Sequence, residues 1–67
     1  MYVNFDNDYR TVETLEIMED ESLDAFFARI SVWLYENAAF YSIRSMSADF
    51  EDEFLEIIAY AAGIELD

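Results

Sequence analysis

The sequence predicts a small α+β domain spanning residues 1–67, in which an N-terminal β-hairpin packs on two antiparallel helices. Residues 1–18 favour strands, and two later segments carry apolar residues at steps of three and four, which is typical of amphipathic helices. The chain has no proline and a single glycine, so nothing marks a linker between two domains. Because a chain this short buries only about 60% of its unfolded surface, we expect a thin core.

The hairpin is predicted over about residues 1–18. Apolar residues alternate along residues 1–5, turn-forming residues follow at 6–8, and residues 9–18 are rich in threonine, valine and isoleucine. Val12, Leu15 and Met18 also fit helical spacing. A short helix in this segment, giving an all-α unit of three helices, is therefore the alternative fold.

The first helix is predicted over about residues 23–42. Ser22 or Asp20 can cap its free amides, and the neighbouring acids favour the positive end of its dipole. The apolar period is regular as far as Glu36, and beyond it the sequence leaves the boundary open. Eight residues share the predicted core face: Leu23, Phe26, Phe27, Ile30, Trp33, Leu34, Ala38 and Tyr41.

The last helix is predicted over about residues 48–62, with Ser45–Ser47 as its cap. Gly63 suits the left-handed position after a helix, and Ile64 can then fold back on Ala59. The predicted buried stripe consists of Phe50, Phe54, Ile57, Ile58 and Ala61.

Acidic charge dominates the composition. Sixteen Asp and Glu residues stand against three arginines, for a formal net charge of −13. Because 55% of the residues are hydrophobic, we expect the chain to fold despite this charge. Such a surface repels nucleic acid and anionic membranes and attracts basic protein surfaces. The expected partner is a protein with a basic surface.

The last predicted helix carries the first group of candidate partner-binding residues, which are Asp49, Asp52, Glu53 and Glu56. Their spacing places them on one arc, about 3.5 Å apart along the axis, which is close to the ~3.4 Å between phosphates of one DNA strand. No cation of this helix relieves their repulsion. An ordinary solvated face, with acids favoured near the helix N-terminus, is the alternative interpretation.

Further candidates lie elsewhere in the chain. Ala28, Val32, Tyr35 and Ala39 make the back of the long helix apolar as well. Either the hairpin and the last helix cover this strip, or it stays open for a partner or for a second copy in a homodimer. The other candidate partner-binding residues are the acids Glu13, Glu16, Glu19, Asp20, Glu21 and Asp24 and the aromatic residues Phe40 and Tyr41.

The missing residue types exclude much chemistry. Cysteine, histidine and lysine are all absent, which excludes Cys/His zinc sites and thiol or imidazole catalysis. An EF-hand calcium loop that began at Asp6 would place Thr11 where glycine is required and Ile17 where a bidentate Glu belongs, so the chain does not fit this motif. We therefore predict no catalytic, cofactor or metal site and no enzyme activity. Without a long apolar run or a signal-like N-terminus, we expect a cytoplasmic protein.

In charge and size the chain resembles the small acidic proteins of phages and mobile elements that imitate nucleic acid. These include antirestriction proteins, uracil-DNA glycosylase inhibitors and anti-CRISPR proteins. The resemblance implies a DNA mimic that blocks the basic groove of a DNA- or RNA-handling enzyme in a host cell. The alternative is an acidic interaction module without mimicry, such as an immunity protein, an antitoxin or a small regulatory subunit. Adaptation to high salt is a third interpretation.

Overall fold

A four-stranded sheet and two helices make up the structure, a computed structural model that describes residues 1–67. The predicted α+β class is confirmed, and the three-helix alternative is wrong. In chain order the elements are β1 (Tyr2–Asp6), β2 (Thr11–Glu16), α1 (Leu23–Tyr41), β3 (Ser45–Ala48), α2 (Glu53–Ala62) and β4 (Glu65–Leu66).

The sheet has the strand order β2-β1-β3-β4. Strand β1 runs antiparallel to β2 and to β3, whereas β3 and β4 are parallel. The predicted hairpin is present, and Asn7 organises its turn because the Asn7 side-chain oxygen accepts hydrogen bonds from the amides of Tyr9 and Arg10 at 2.8 and 3.0 Å. The two-residue strand β4 was not predicted.

Helix α1 matches its prediction closely. The Ser22 hydroxyl oxygen accepts a hydrogen bond from the amide of Ala25 at 3.1 Å and so caps the helix. The helix ends at Ser42, which adopts a left-handed conformation with φ of 56°. All eight residues of the predicted core face lie in or against the core, four of them buried: Phe26, Phe27, Ile30 and Leu34.

The predicted start of the last helix is wrong. Residues 45–48 form β3, and α2 begins only at Glu53, with Asp52 as its cap. In β3, Met46 pairs with Phe5 and Ala48 with Val3 of the central strand β1. These long-range contacts place the segment in the sheet, although its serine-rich sequence has weak strand propensity.

The predicted buried stripe of the last helix is wrong for three of its five residues. Leu55 and Ala59 are buried, whereas Phe54 and Ile57 are 57% and 58% exposed. Ile58 is half-buried, Ala61 is exposed, and Phe50 lies before the helix with its ring 6.4 Å from those of Phe26 and Phe27. Because apolar residues surround α2 almost completely, periodicity did not select the buried face.

The end of α2 agrees with prediction. Gly63 has a left-handed φ of 72°, and the amide of Ile64 donates to the carbonyl oxygen of Ala59 at 3.0 Å.

The core lies between the sheet and the helices. It contains no buried polar residue, and the ring of Phe5 stacks on that of Trp33 with centroids 4.3 Å apart. Its ten buried residues are Val3, Phe5, Phe26, Phe27, Ile30, Leu34, Ile43, Met46, Leu55 and Ala59.

Candidate functional site

The strand directions place the ends of several strands and the starts of both helices at one end of the molecule. Since β1 runs antiparallel to the other three strands, its N-terminus lies beside the C-terminal ends of β2, β3 and β4. Helices α1 and α2 follow β2 and β3 through short loops, so both helix N-termini lie near this same end. We call the surface formed by residues 16–24, residues 49–56 and Asp67 the acidic pole.

Most of the acidic side chains belong to this surface. Arg29, which lies near the start of α1, is its one side-chain cation, whereas Arg10 and Arg44 lie at the opposite end beside the hairpin turn. The acidic pole holds eleven of the sixteen acids: Glu16, Glu19, Asp20, Glu21, Asp24, Asp49, Glu51, Asp52, Glu53, Glu56 and Asp67.

The four acids of the predicted helical ladder come together, but not as a ladder on one helix. Asp49 lies before α2, where its carboxylate accepts a hydrogen bond from the amide of Tyr2 at 2.8 Å. Asp52 caps α2 by accepting from the amide of Phe54 at 2.9 Å. Glu53 and Glu56 occupy the first turn and are exposed. The predicted axial spacing of the four charges is therefore wrong, because α2 begins later than expected.

A shallow concavity of about 810 Å³ collects these acids. Glu51 and Asp67, which were not among the candidates, complete its acidic lining, and Phe50 and Leu66 contribute apolar surface. Asp67 reaches the concavity because β4 pairs with β3. Nothing in the local sequence indicates that pairing.

The second group of candidate acids does not lie on a single surface of the structure. Glu16, Glu19, Asp20, Glu21 and Asp24 belong to the acidic pole. Glu13 does not, because it pairs with Phe5 in the middle of the β1–β2 ladder and is exposed there.

Arg29 holds together residues 16–24 of the acidic pole. Its guanidinium makes two hydrogen bonds to the Glu21 carboxylate, at 2.8 and 2.9 Å, and also donates to the main-chain oxygen of Glu16. The guanidinium also lies 5.4 Å from the centre of the Phe26 ring. Arg29 therefore connects α1 to the end of β2 and to the intervening loop. The sequence did not indicate this contact because Glu21 and Arg29 lie on either side of a helix start.

These hydrogen bonds change the ionisation of Glu21. The Arg29 side chain and, secondarily, the amide of Met18 donate to its carboxylate and lower its pKa from the ordinary value of 4.5. The bidentate pair also raises the pKa of Arg29. Glu21 thus stabilises the fold above its unfolded pKa, and this contribution is lost as pH falls through the lowered folded pKa.

Replacing Glu21 with glutamine should therefore lower the melting temperature at pH 7, and the loss should become smaller as the pH falls through the lowered folded pKa of Glu21. As the wild-type carboxyl becomes protonated, its charge difference from the glutamine amide diminishes. Thermal unfolding followed by circular dichroism at pH 7 and at about pH 3 tests this, with Glu19→Gln as a control because Glu19 is exposed. An equal loss at both pH values would contradict an ionic role for Glu21.

Phe40 and Tyr41 lie at the C-terminal end of α1, away from the acidic pole. Tyr41 is half-buried and stacks parallel to Trp33 with centroids 6.3 Å apart. Phe40 is 81% exposed and meets Tyr41 edge-on at 4.8 Å. The structure therefore separates these two candidates from the acids.

The apolar strip on the back of α1 remains uncovered. Ala28, Val32, Tyr35 and Ala39 are all exposed, so the interpretation in which the hairpin and the last helix cover them is wrong. Tyr35 and Ala39 of this strip also line an open, mainly apolar groove of about 860 Å³ between α1 and α2. The sequence did not indicate this groove because it depends on how the two helices pack.

Other kinds of site find little support. No group of three or more Asp or Glu side chains is arranged to hold a metal ion. Neither helix has both the length and the apolar character needed to cross a membrane.

The fold and this surface define a class: a small α+β protein with a carboxylate-rich pole. No protein-family model, curated protein or solved structure matches the chain.

Proposed function

We propose that this protein is a non-catalytic inhibitor that imitates nucleic acid in the cytoplasm of a host cell. Its acidic pole occupies the basic groove of a DNA- or RNA-handling enzyme. The observation that supports this proposal is the concentration of eleven carboxylates at one end of the molecule. Only one cationic side chain, that of Arg29, lies among them.

Local structure accounts for only some of these acids. Asp52 caps a helix, Asp49 holds the start of β1 and Glu21 pairs with Arg29. Asp24 and Glu53 lie in first turns, where the helix dipole favours negative charge. Other carboxylates have no such role, because they make no hydrogen bond or ion pair and lie outside the first turns of α1 and α2. They include Glu19, Asp20, Glu51 and Asp67.

Crowding unpaired like charges destabilises the folded state through repulsion. A surface that retains them is therefore better explained by a partner than by the fold. A basic groove would relieve the repulsion on binding, and the long-range field would speed association.

Apolar side chains beside the acids would add contacts that salt does not screen. Met1 and Met18 are 46% and 59% exposed, and Tyr2 is 37% exposed. All three adjoin the pole, because the amide of Ile17 donates to the carbonyl of Met1 and Tyr2 bonds Asp49.

The second candidate function is an acidic interaction module without mimicry. The concavity lined by Asp49, Glu51, Asp52, Glu53, Glu56 and Asp67 favours it, because a hollow suits a projecting Lys or Arg side chain of a partner.

A competition experiment distinguishes the two functions. Binding should be measured against purified uracil-DNA glycosylase, a restriction enzyme and a guide-loaded CRISPR effector, with and without saturating duplex DNA. Mimicry predicts tight binding to at least one enzyme, inhibition of its activity and loss of binding when DNA is added.

Polyglutamate of matched net charge is the control, and it should inhibit far more weakly. Binding that persists beside saturating DNA would reject mimicry and support the interaction module. A failure to bind any of the three enzymes would count against the proposed function.

A further inference from the structure

We propose that the outer face of the two helices is a homodimer interface, in which Tyr35 of each copy enters the groove between α1 and α2 of the other. This inference does not depend on the proposed function, because it concerns a surface other than the acidic pole.

The exposed strip on α1 has the spacing of a helix-packing seam. Ala28, Val32, Tyr35 and Ala39 follow one another at steps of four, three and four, which is the pattern of the a and d positions of a heptad. Val32 is 55% exposed and Tyr35 is 93% exposed. A seam of this kind, left in water, favours packing against another helix.

The groove beside the seam provides a complementary shape. It measures about 860 Å³, and small side chains, including those of Ala38, Ala61 and Ala62, leave room along its length. On the α2 side of the groove, Ile57 is 58% exposed. A tyrosine ring seated between the helices would bury apolar surface on both copies.

The charge distribution favours a second copy over a basic partner. No acid lines the groove, and its one charged lining residue is Arg44. A basic helix would therefore be attracted to the acidic pole rather than to this surface. The groove reaches Ser42–Arg44 and Gly63, at the end opposite the acidic pole, so two copies related by a two-fold axis here would keep their acidic poles apart.

The size of the face is compatible with a modest dimer. The two longest extents of the molecule are 32 and 21 Å, which limits one face to on the order of 600 Å². A stable dimer buries about 600–1,000 Å² per partner. We therefore expect a reversible dimer whose affinity depends on a few residues such as Tyr35.

Dimerisation and binding at the acidic pole should respond to salt in opposite directions. Two copies of charge −13 repel each other, so screening should strengthen the dimer as salt rises. Binding of the acidic pole to a basic partner should weaken under the same change. Experiments can therefore reject the dimer without rejecting the proposed function, and the reverse.

Sedimentation equilibrium of the full chain tests the interface at about 0.05 M and about 0.5 M NaCl. The expected result is a monomer–dimer equilibrium with tighter dimerisation at the higher salt concentration. Tyr35→Glu should weaken dimerisation at least about tenfold. The matched control is Tyr9→Glu, which adds the same charge at an equally exposed tyrosine, since Tyr9 and Tyr35 are 92% and 93% exposed. The control should leave the dimer unchanged.

Ile57→Ser provides a second variant without added charge and should also weaken the dimer. Circular dichroism should show that all three variants remain folded, as expected for exposed positions. A chain that stays monomeric to about 1 mM, a dimer insensitive to Tyr35→Glu and Ile57→Ser, or a dimer that salt dissociates would overturn the proposal.

Discussion

Replacing Phe5 with alanine is expected to remove a large part of the free energy of unfolding of this protein. Phe5 is completely buried in the central strand β1 and stacks on Trp33 at 4.3 Å. Truncation of a buried phenylalanine costs about 3–5 kcal/mol. A domain of this length has a total stability of roughly 3–10 kcal/mol, at about 0.05–0.15 kcal/mol per residue. The loss thus equals the whole free energy of unfolding at the lower end of this range and about a third to a half of it at the upper end.

Urea denaturation followed by circular dichroism measures this effect. Phe40→Ala is the matched control, because Phe40 is 81% exposed, and it should change stability by no more than about 0.5 kcal/mol. Phe5→Leu should fall between the two, since leucine retains much of the buried volume. A Phe5→Ala variant as stable as the Phe40→Ala variant would contradict the packing of β1 against α1.

Reversing the charge of Glu53 and Glu56 together, with lysine at both positions, should weaken binding to a basic partner by about 10- to 1,000-fold. Both side chains are exposed and lie beside the acidic concavity. Asp52 is a poor choice for this test because it caps α2, and its loss costs about 0.5–2 kcal/mol of stability. Asp49 is unsuitable for a similar reason, since it holds the start of β1.

The control for this variant is Glu36→Lys combined with Glu65→Lys. It makes the same change in net charge outside the acidic pole and should weaken binding much less. Calorimetric titration against the enzyme identified by the competition experiment, at two salt concentrations, provides the comparison. Equal losses for the two double variants would show that net charge, and not the acidic pole, determines binding.

Helix α1 was predictable because its nineteen residues repeat the apolar period several times, and Ser22 provides a clear cap. Helix α2 is shorter and apolar around most of its circumference, so its start and its buried face depended on packing. Strand β3 carries little strand propensity of its own. It forms because Met46 and Ala48 pair with β1, a contact between segments far apart in the chain.

The candidate site shows the same division. The identities of most acids at the pole were predicted, including Asp49, Asp52, Glu53 and Glu56. Their arrangement was not, because it depends on where α2 begins. The places of Glu51, Asp67 and the Arg29–Glu21 pair were missed, since each depends on elements that meet only in the folded chain.

By itself the sequence determined the net charge, the missing cysteine, histidine and lysine and most of the first helix, and it favoured the hairpin. These properties are sums over residues or depend on neighbours a few positions apart. Only the tertiary structure decided that eleven acids gather at one pole and that Val32 and Tyr35 stay exposed beside an apolar groove. Both outcomes follow from strand direction and helix packing, which long-range contacts set and local sequence does not encode.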